Sequence, residues 1–291
     1  MTTELPLLRV DSWTPTRETL HMWVQIIGKM RMVSTPPINH WWHVPLYVTA
    51  SGLATGFVPS PADGWDAEFD LVDHRLILRT TGGESEVLPL HAQSVASFYA
   101  DVQAALARLG LGIHIFASPN EVPDAIPFAD DEVHASYDPD AAHAFWRQLL
   151  FAQRVLQQFR GEFIGKCSPV HFFWGAMDLA VTRFSGREAP PHPGGAPNCP
   201  DFVMREGYSH ELSSAGFWPG GGEEGAFYSY AYPAPDGYAD ADVPDGARYD
   251  TTLGEFILPL EAVRAAADPE GLVLDFLHAT HDAAARLARW P

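Results

Sequence analysis

Apolar residues recur at helical spacing early in the chain, with Trp23, Ile26, Ile27 and Met30 on one face, and Pro36 and Pro37 end the run. The pattern predicts a first helix over 16–33. An aromatic, β-rich stretch over 40–50 then predicts a strand, broken by Gly52, Gly56, Pro59 and Pro61. Residues 68–80 read as strand, bend, strand, and Gly82 and Gly83 turn the chain into a short strand over 86–90. A helix is predicted over 94–109, with Ser94 as N-cap and Gly110 just past its end, and one more strand over 112–117.

The pattern changes over 118–140, where Pro119, Pro123, Pro127 and Pro139 alternate with acidic residues. That composition predicts an exposed, irregular linker or surface crossover. A second long helix is predicted over 141–164, striped by Phe145, Leu149, Ala152, Leu156 and Phe159. It is followed by a second aromatic strand region over 171–184 and a Pro/Gly loop over 188–199. Residues 212–218 and 226–232 read as a hairpin, 236–250 as an exposed aspartate-rich loop, 256–260 as a strand and 272–289 as the last helix.

Two halves of this list repeat each other. His40-Trp41-Trp42-His43 follows the first helix, and His171-Phe172-Phe173-Trp174 follows the second. Leu88-Pro89-Leu90 precedes a helix carrying Phe98 and Arg108, and Leu258-Pro259-Leu260 precedes one carrying Phe276 and Arg286. The expectation is an α+β fold of two degenerate helix-strands-helix repeats, 1–117 and 141–291, joined by 118–140 into one compact unit. Antiparallel strands from both halves would form a pseudo-two-fold sheet structure with helices packed on one side. A cleft between the repeats is the natural place for a ligand.

The strings His40-Trp41-Trp42-His43-Val44-Pro45-Leu46-Tyr47, Ser168-Pro169-Val170-His171-Phe172-Phe173-Trp174-Gly175 and the run from Ser209-His210-Glu211 to Phe217-Trp218-Pro219 resemble a bacterial family of unknown function over nearly the whole chain. The resemblance implies a full-length unit and carries no activity.

Composition narrows the function. Lys plus Arg number 18 against 37 Asp plus Glu, a formal charge of -19, which repels phosphate backbones and anionic membrane surfaces. No nucleic-acid or membrane partner is expected. Cys167 and Cys199 form no CxxC pair, no apolar run reaches membrane-span length, and residues 1–11 lack a secretory pattern, so a cytoplasmic protein is expected. No phosphate loop, GxGxxG or GxSxG motif is present.

Histidine is the informative residue. On strands, His40 and His43 would point to opposite faces, as would His210 and Glu211. A metal site would therefore take His40 or His43 from one half, then His171 and one of His210 or Glu211 from the other, a donor set suited to Zn or Fe. The alternative is that these histidines cap strands or bond to Trp and Tyr. Asp178, among apolar neighbours, is a second candidate, or a structural carboxylate. Trp42, Trp174 and Trp218 are candidate pocket walls, or simply core, and Arg183 could grip a ligand carboxylate. Tyr228, Tyr230 and Tyr232 share one strand face. The favoured reading is an enzyme with an aromatic-lined small-molecule pocket. His171, His210 and Asp178 would be catalytic, and the reaction could be that of a metal-dependent hydrolase or oxygenase. A non-catalytic small-molecule binder and a protein-interaction module are the alternatives.

Overall fold

The computed structural model describes residues 5–60 and 64–291; Pro61, an expected strand breaker, lies outside them. Helix α1 (Val10–Ser34) leads into a five-stranded antiparallel meander, β1 (Tyr47–Val48), β2 (Gly52–Ala54), β3 (Trp65–Asp70), β4 (Arg75–Thr80) and β5 (Ser85–Pro89). Helix α2 (Val95–Arg108) follows, and Ser94 caps it by accepting from the Ser97 N–H at 3.2 Å. Helix α3 (Pro139–Gly161) opens the second half. It is followed by β6 (His171–Phe173), β7 (Asp178–Glu188), α4 (Asp201–Gly207), β8 (His210–Trp218) and β9 (Ala226–Tyr232). The chain ends with β10 (Arg248–Asp250), β11 (Glu255–Pro259), α5 (Leu260–Ala265) and α6 (Pro269–Leu287).

The second sheet is also antiparallel, ordered β10-β11-β9-β8-β7-β6. The two sheets touch edge to edge, where Leu46 and Phe172 exchange backbone hydrogen bonds of 3.0 Å each. Period-two alternation sorts the second sheet into two faces. Phe172, Leu179, Val181, Phe217, Phe227 and Leu258 are all fully buried, and this row faces α3 and α6. Ring contacts fix that packing: Phe145 lies 6.4 Å from Phe172 and Phe151 lies 6.2 Å from Phe227. In the first sheet Leu53, Phe69, Leu76 and Leu88 are register neighbours on one face. There Phe98 of α2 stacks between Phe69 and Trp23 of α1. Helices α1, α2, α3 and α6 thus form one layer.

The opposite face differs between the sheets. On the first it carries Asp66, Glu68 and Arg79, joined by ion pairs of 2.8 and 3.2 Å. On the second it carries Asp178, Ala180, Thr182, Ser214, Gly216, Tyr228 and Tyr230, and further chain lies over it.

Three local expectations are corrected. Residues 40–50 are not one strand. A 3-10 turn, Asn39–Trp41, comes first, with His40 and Trp41 in left-handed backbone at φ 60° and 52°. The odd-spacing argument for His40 and His43 therefore does not apply. Residues 112–117 form no strand, because Gly112 and the exposed Phe116 find no neighbouring strand to pair with. Residues 118–140 are irregular apart from the turn Phe128–Asp130 and the start of α3 at Pro139, but they are not simply exposed, since Phe128 and Asp131 are fully buried. Asp131 is satisfied there by the backbone N–H groups of Val133 and His134 and by the His134 ring at 2.7 Å.

Candidate functional site

The face of the second sheet opposite α3 and α6 holds an apolar hollow with convergent polar groups. Two adjoining spaces, about 350 and 160 Å³, share Ala176, Asp178, Tyr228 and Tyr230 in their walls. The floor is β7, β8, β9 and β11. The roof comes from elsewhere in the chain: His40 and Trp41 from the 3-10 turn, Glu121 from the proline-rich crossover, and Val203, Met204 and Tyr208 from around α4.

The floor exists because β8 is narrow at its centre. A Cβ on Gly216 would lie 2.4 Å from the Tyr228 hydroxyl oxygen, so only glycine lets that ring lie across β8. The Tyr228 hydroxyl thereby reaches β7 and donates to Asp178 Oδ2. Next to it, the Tyr230 and Tyr208 hydroxyls are 2.7 Å apart, and the Tyr228 and Tyr230 rings stack at 6.3 Å.

The roof is held by α1. His21, Gln25 and Lys29 are spaced by four and form one polar stripe. Gln25 clamps the backbone of Asn120, donating to its carbonyl at 2.9 Å and accepting its N–H at 2.8 Å. Lys29 donates to the Asn120 side chain, and His21 donates to the carbonyls of Trp174 and Gly175 at 2.9 Å. Glu121 is thus carried over Gly175, against which its carboxylate lies. Seven described non-glycine residues have left-handed backbone. His40, Trp41 and Glu121 among them line the cleft, and Met177 and Asn198 adjoin its wall residues Asp178 and Cys199. Such strain is tolerated where surrounding structure fixes it, and it concentrates at functional sites.

The electrostatics are unusual for so acidic a cleft. Burial, then the neighbouring Asp178, pushes the Glu121 carboxyl up to about 7. Burial, then Asp178 and Asp250, pushes Glu255 up to about 7. Burial raises Asp178 to about 6, and the Tyr228 hydrogen bond restrains the rise. Neither the Glu121 nor the Glu255 carboxyl has a hydrogen-bond or ion-pair partner among the described residues. Each carboxyl therefore passes between acid and carboxylate close to neutral pH.

The fold also buries histidines in the neutral form. Burial lowers His21 and His40 to about 4, and His171 and His281 to about 3. The carboxyls bind protons more tightly folded than unfolded, so they stabilise at low pH and lose that contribution as pH rises through about 6–7. The histidines act oppositely. Their contribution is complete above the unfolded value near 6.5 and fades as pH falls toward about 3–4. Thermal unfolding followed from pH 4.5 to 8 should give its highest midpoint at about pH 6–7. A midpoint still rising at pH 8 would contradict the raised carboxyls.

The structure distributes the expected site residues unevenly. Asp178 and Trp218 line the cleft, and so does His40. Trp42 and His171 stand just behind it, with ring centroids 5.7 Å apart, and Phe173 touches both His40 and His171. His171 and His210 do not share a cavity. His171 pairs with Ala180 beside Gly216, whereas His210 pairs with Glu188 six residues further along β8. At about 3.3 Å per residue that separation is about 20 Å. His210 is exposed, and Glu211 is taken by Arg187 at 2.7 Å. The expected metal set of His40, His171, His210 and Glu211 therefore does not converge, and no other group of three or more His, Cys, Asp or Glu is placed for a metal among the described residues.

Arg183 lies on the helix-covered face, five residues from Asp178. It donates to the Phe159 carbonyl and stacks 3.4 Å over that ring, so it cannot grip a ligand in the cleft. Trp174 is core: it is 2% exposed, donates to the Val44 carbonyl at 2.9 Å and packs on Gly28. Glu121 and Glu255 were missed. Glu121 lies in a segment whose prolines suggested a linker, and Glu255 stands just before the predicted strand over 256–260. The available signals were Asp178 inside an apolar strand and the tyrosines two apart on β9.

A family model matches residues 5–291. The chain belongs to the family of unknown function DUF5996. No curated protein and no solved structure matches it. Membership in DUF5996 thus brings no activity to the cleft, and its chemistry has to be read from its own side chains. No helix among the described residues is long and apolar enough to cross a membrane.

Proposed function

We propose that the cleft over the second sheet is a small-molecule site, and that Asp178 is its central proton-exchanging group. The observation that carries this is that Glu121, Asp178 and Glu255 line two adjoining tyrosine-walled hollows, with Asp178 in both and no basic partner for the two glutamates. Carboxyls balanced near neutral pH can donate a proton in one step and accept it in another, which is what general acid–base catalysis requires. Tyr228 keeps Asp178 oriented, and the Tyr208–Tyr230 pair offers a second hydroxyl relay. The reading is of an enzyme that transforms a small molecule by proton transfer. A binder without turnover is the second reading, favoured by the aromatic walls alone.

The two halves support the same picture as degenerate repeats about a pseudo-two-fold axis. Each runs helix, five antiparallel strands, helix, with β10 added at the edge of the second and α4 and α5 inserted in it. Leu88-Pro89-Leu90 and Leu258-Pro259-Leu260 stand at the ends of the equivalent strands β5 and β11. The axis would pass near the Leu46–Phe172 junction. In this reading the first repeat has lost its own cleft and supplies His40 and Trp41 to the second.

Mass spectrometry of small molecules released by denaturing the natively purified chain tests the reading. A compound retained by the wild type and depleted in Trp218→Ala, at the cleft mouth, supports it. A compound retained equally by both places the site elsewhere. Turnover of that compound by the wild type separates the enzyme from the binder.

A further inference from the structure

We infer that the occupant of the cleft is an extended aliphatic amine with two or more positive charges, lying along the line from Glu121 past Asp178 to Glu255; this rests on the cleft being a ligand site. The carboxyls are strung out, not clustered. Glu121 opens only to the smaller hollow, Glu255 only to the larger, and Asp178 to both. A compact metal ion needs several donors within one coordination sphere, and no such group exists among the described residues. A flexible polycation meets separated carboxylates one at a time.

The walls fit the rest of such a molecule. Tyr228, Tyr230 and Trp218 offer faces on which methylene groups can lie and toward which an ammonium is attracted. Arg248 is the single Lys or Arg in the described walls, and it is exposed and without an ion pair to a described residue. An independent group at the far end also lacks a partner. His40 lines the smaller hollow, and its Nδ1 is buried without a hydrogen bond. A neutral polyol would leave the carboxylates uncompensated, and an anion would be repelled.

Isothermal titration of the full chain at pH 8 and 150 mM NaCl tests this with spermidine, 1,5-diaminopentane and the neutral length match 1,5-pentanediol. Spermidine should bind tighter than the diamine, and the diamine at least about tenfold tighter than the diol. Glu121→Gln and Glu255→Gln should each weaken spermidine about tenfold. Glu84→Gln, on an exposed turn of the first sheet, should leave it unchanged. If Glu84→Gln weakens binding as much, bulk charge is responsible and the inference falls. If the diol binds as well as the diamine, the inference falls while the ligand site stands. If none of the three binds, the inference falls, and the released-compound experiment still judges the site on its own.

Discussion

Gly216→Ala should cost about 3 kcal/mol of stability and dismantle the cleft at the same time. The new Cβ would lie 2.0 Å from the Leu179 carbonyl oxygen, 2.4 Å from the Tyr228 hydroxyl oxygen and 2.5 Å from Tyr228 Cζ. The ring can swing away, but the carbonyl cannot. It belongs to β7, which is held to β8 by continuous pairing from Leu179↔Phe217 to Phe184↔Leu212. Relief therefore needs a shift of strands at the centre of the six-stranded sheet, where packing is tight. Any swing of Tyr228 breaks its bond to Asp178. Denaturant unfolding reads the first effect and loss of ligand the second. A loss below about 0.5 kcal/mol would mean that β7 and β8 do not approach as described.

Asp178→Asn is expected to separate stability from function. At pH 8 the wild type must hold an ionised carboxylate that burial opposes, and the amide removes that cost while still accepting from Tyr228. The variant should be more stable than wild type at pH 8 by about 1–2 kcal/mol, and the gain should shrink as pH falls through about 6 and vanish only below about 4, where the carboxyl of the unfolded chain is protonated as well. The sign follows from the raised pKa: protonation in the fold precedes protonation in the unfolded chain. Ligand binding or turnover should fall by about a hundredfold, because the central charge and exchangeable proton are gone. A variant less stable than wild type at pH 8 would show that Asp178 is a structural carboxylate held by stabilising partners. Residues whose removal stabilises the fold and abolishes function are those kept for function.

Sequence patterning located the helices well because each buries a stripe. Trp23, Ile26, Ile27 and Met30 in α1, and Phe145, Leu149 and Phe159 in α3, are all at or near zero exposure. The β8–β9 hairpin was legible for the corresponding reason, with glycines between two apolar runs. Short elements without a full period were not. Helix α4 has seven residues, and only Val203 and Gly207 among them are buried. The turn at His40 and Trp41 looked like a strand because aromatic residues favour strands, and its left-handed backbone is fixed by tertiary contacts such as the His40 ring against Gly207.

The site was legible only in its floor. Asp178, Trp218 and the β9 tyrosines are set by strand alternation, which local sequence encodes. Glu121 reaches the cleft through Gln25, 96 positions earlier in the chain, by way of the backbone of its neighbour Asn120. No local pattern carries that information. The histidines misled because type was read without register. His210 lies beyond the irregularity between Phe184 and Glu188 in the β7–β8 pairing, at the far end of the strand from His171.

Crystals soaked with a library of small fragments, amines and neutral compounds together, would show directly where this chain takes a ligand. Bound fragments should gather between Glu121 and Glu255, touching Asp178 and the Tyr228 and Tyr230 rings, with amines the most frequent. Fragments that leave this cleft empty and gather elsewhere on the chain would contradict the proposed site.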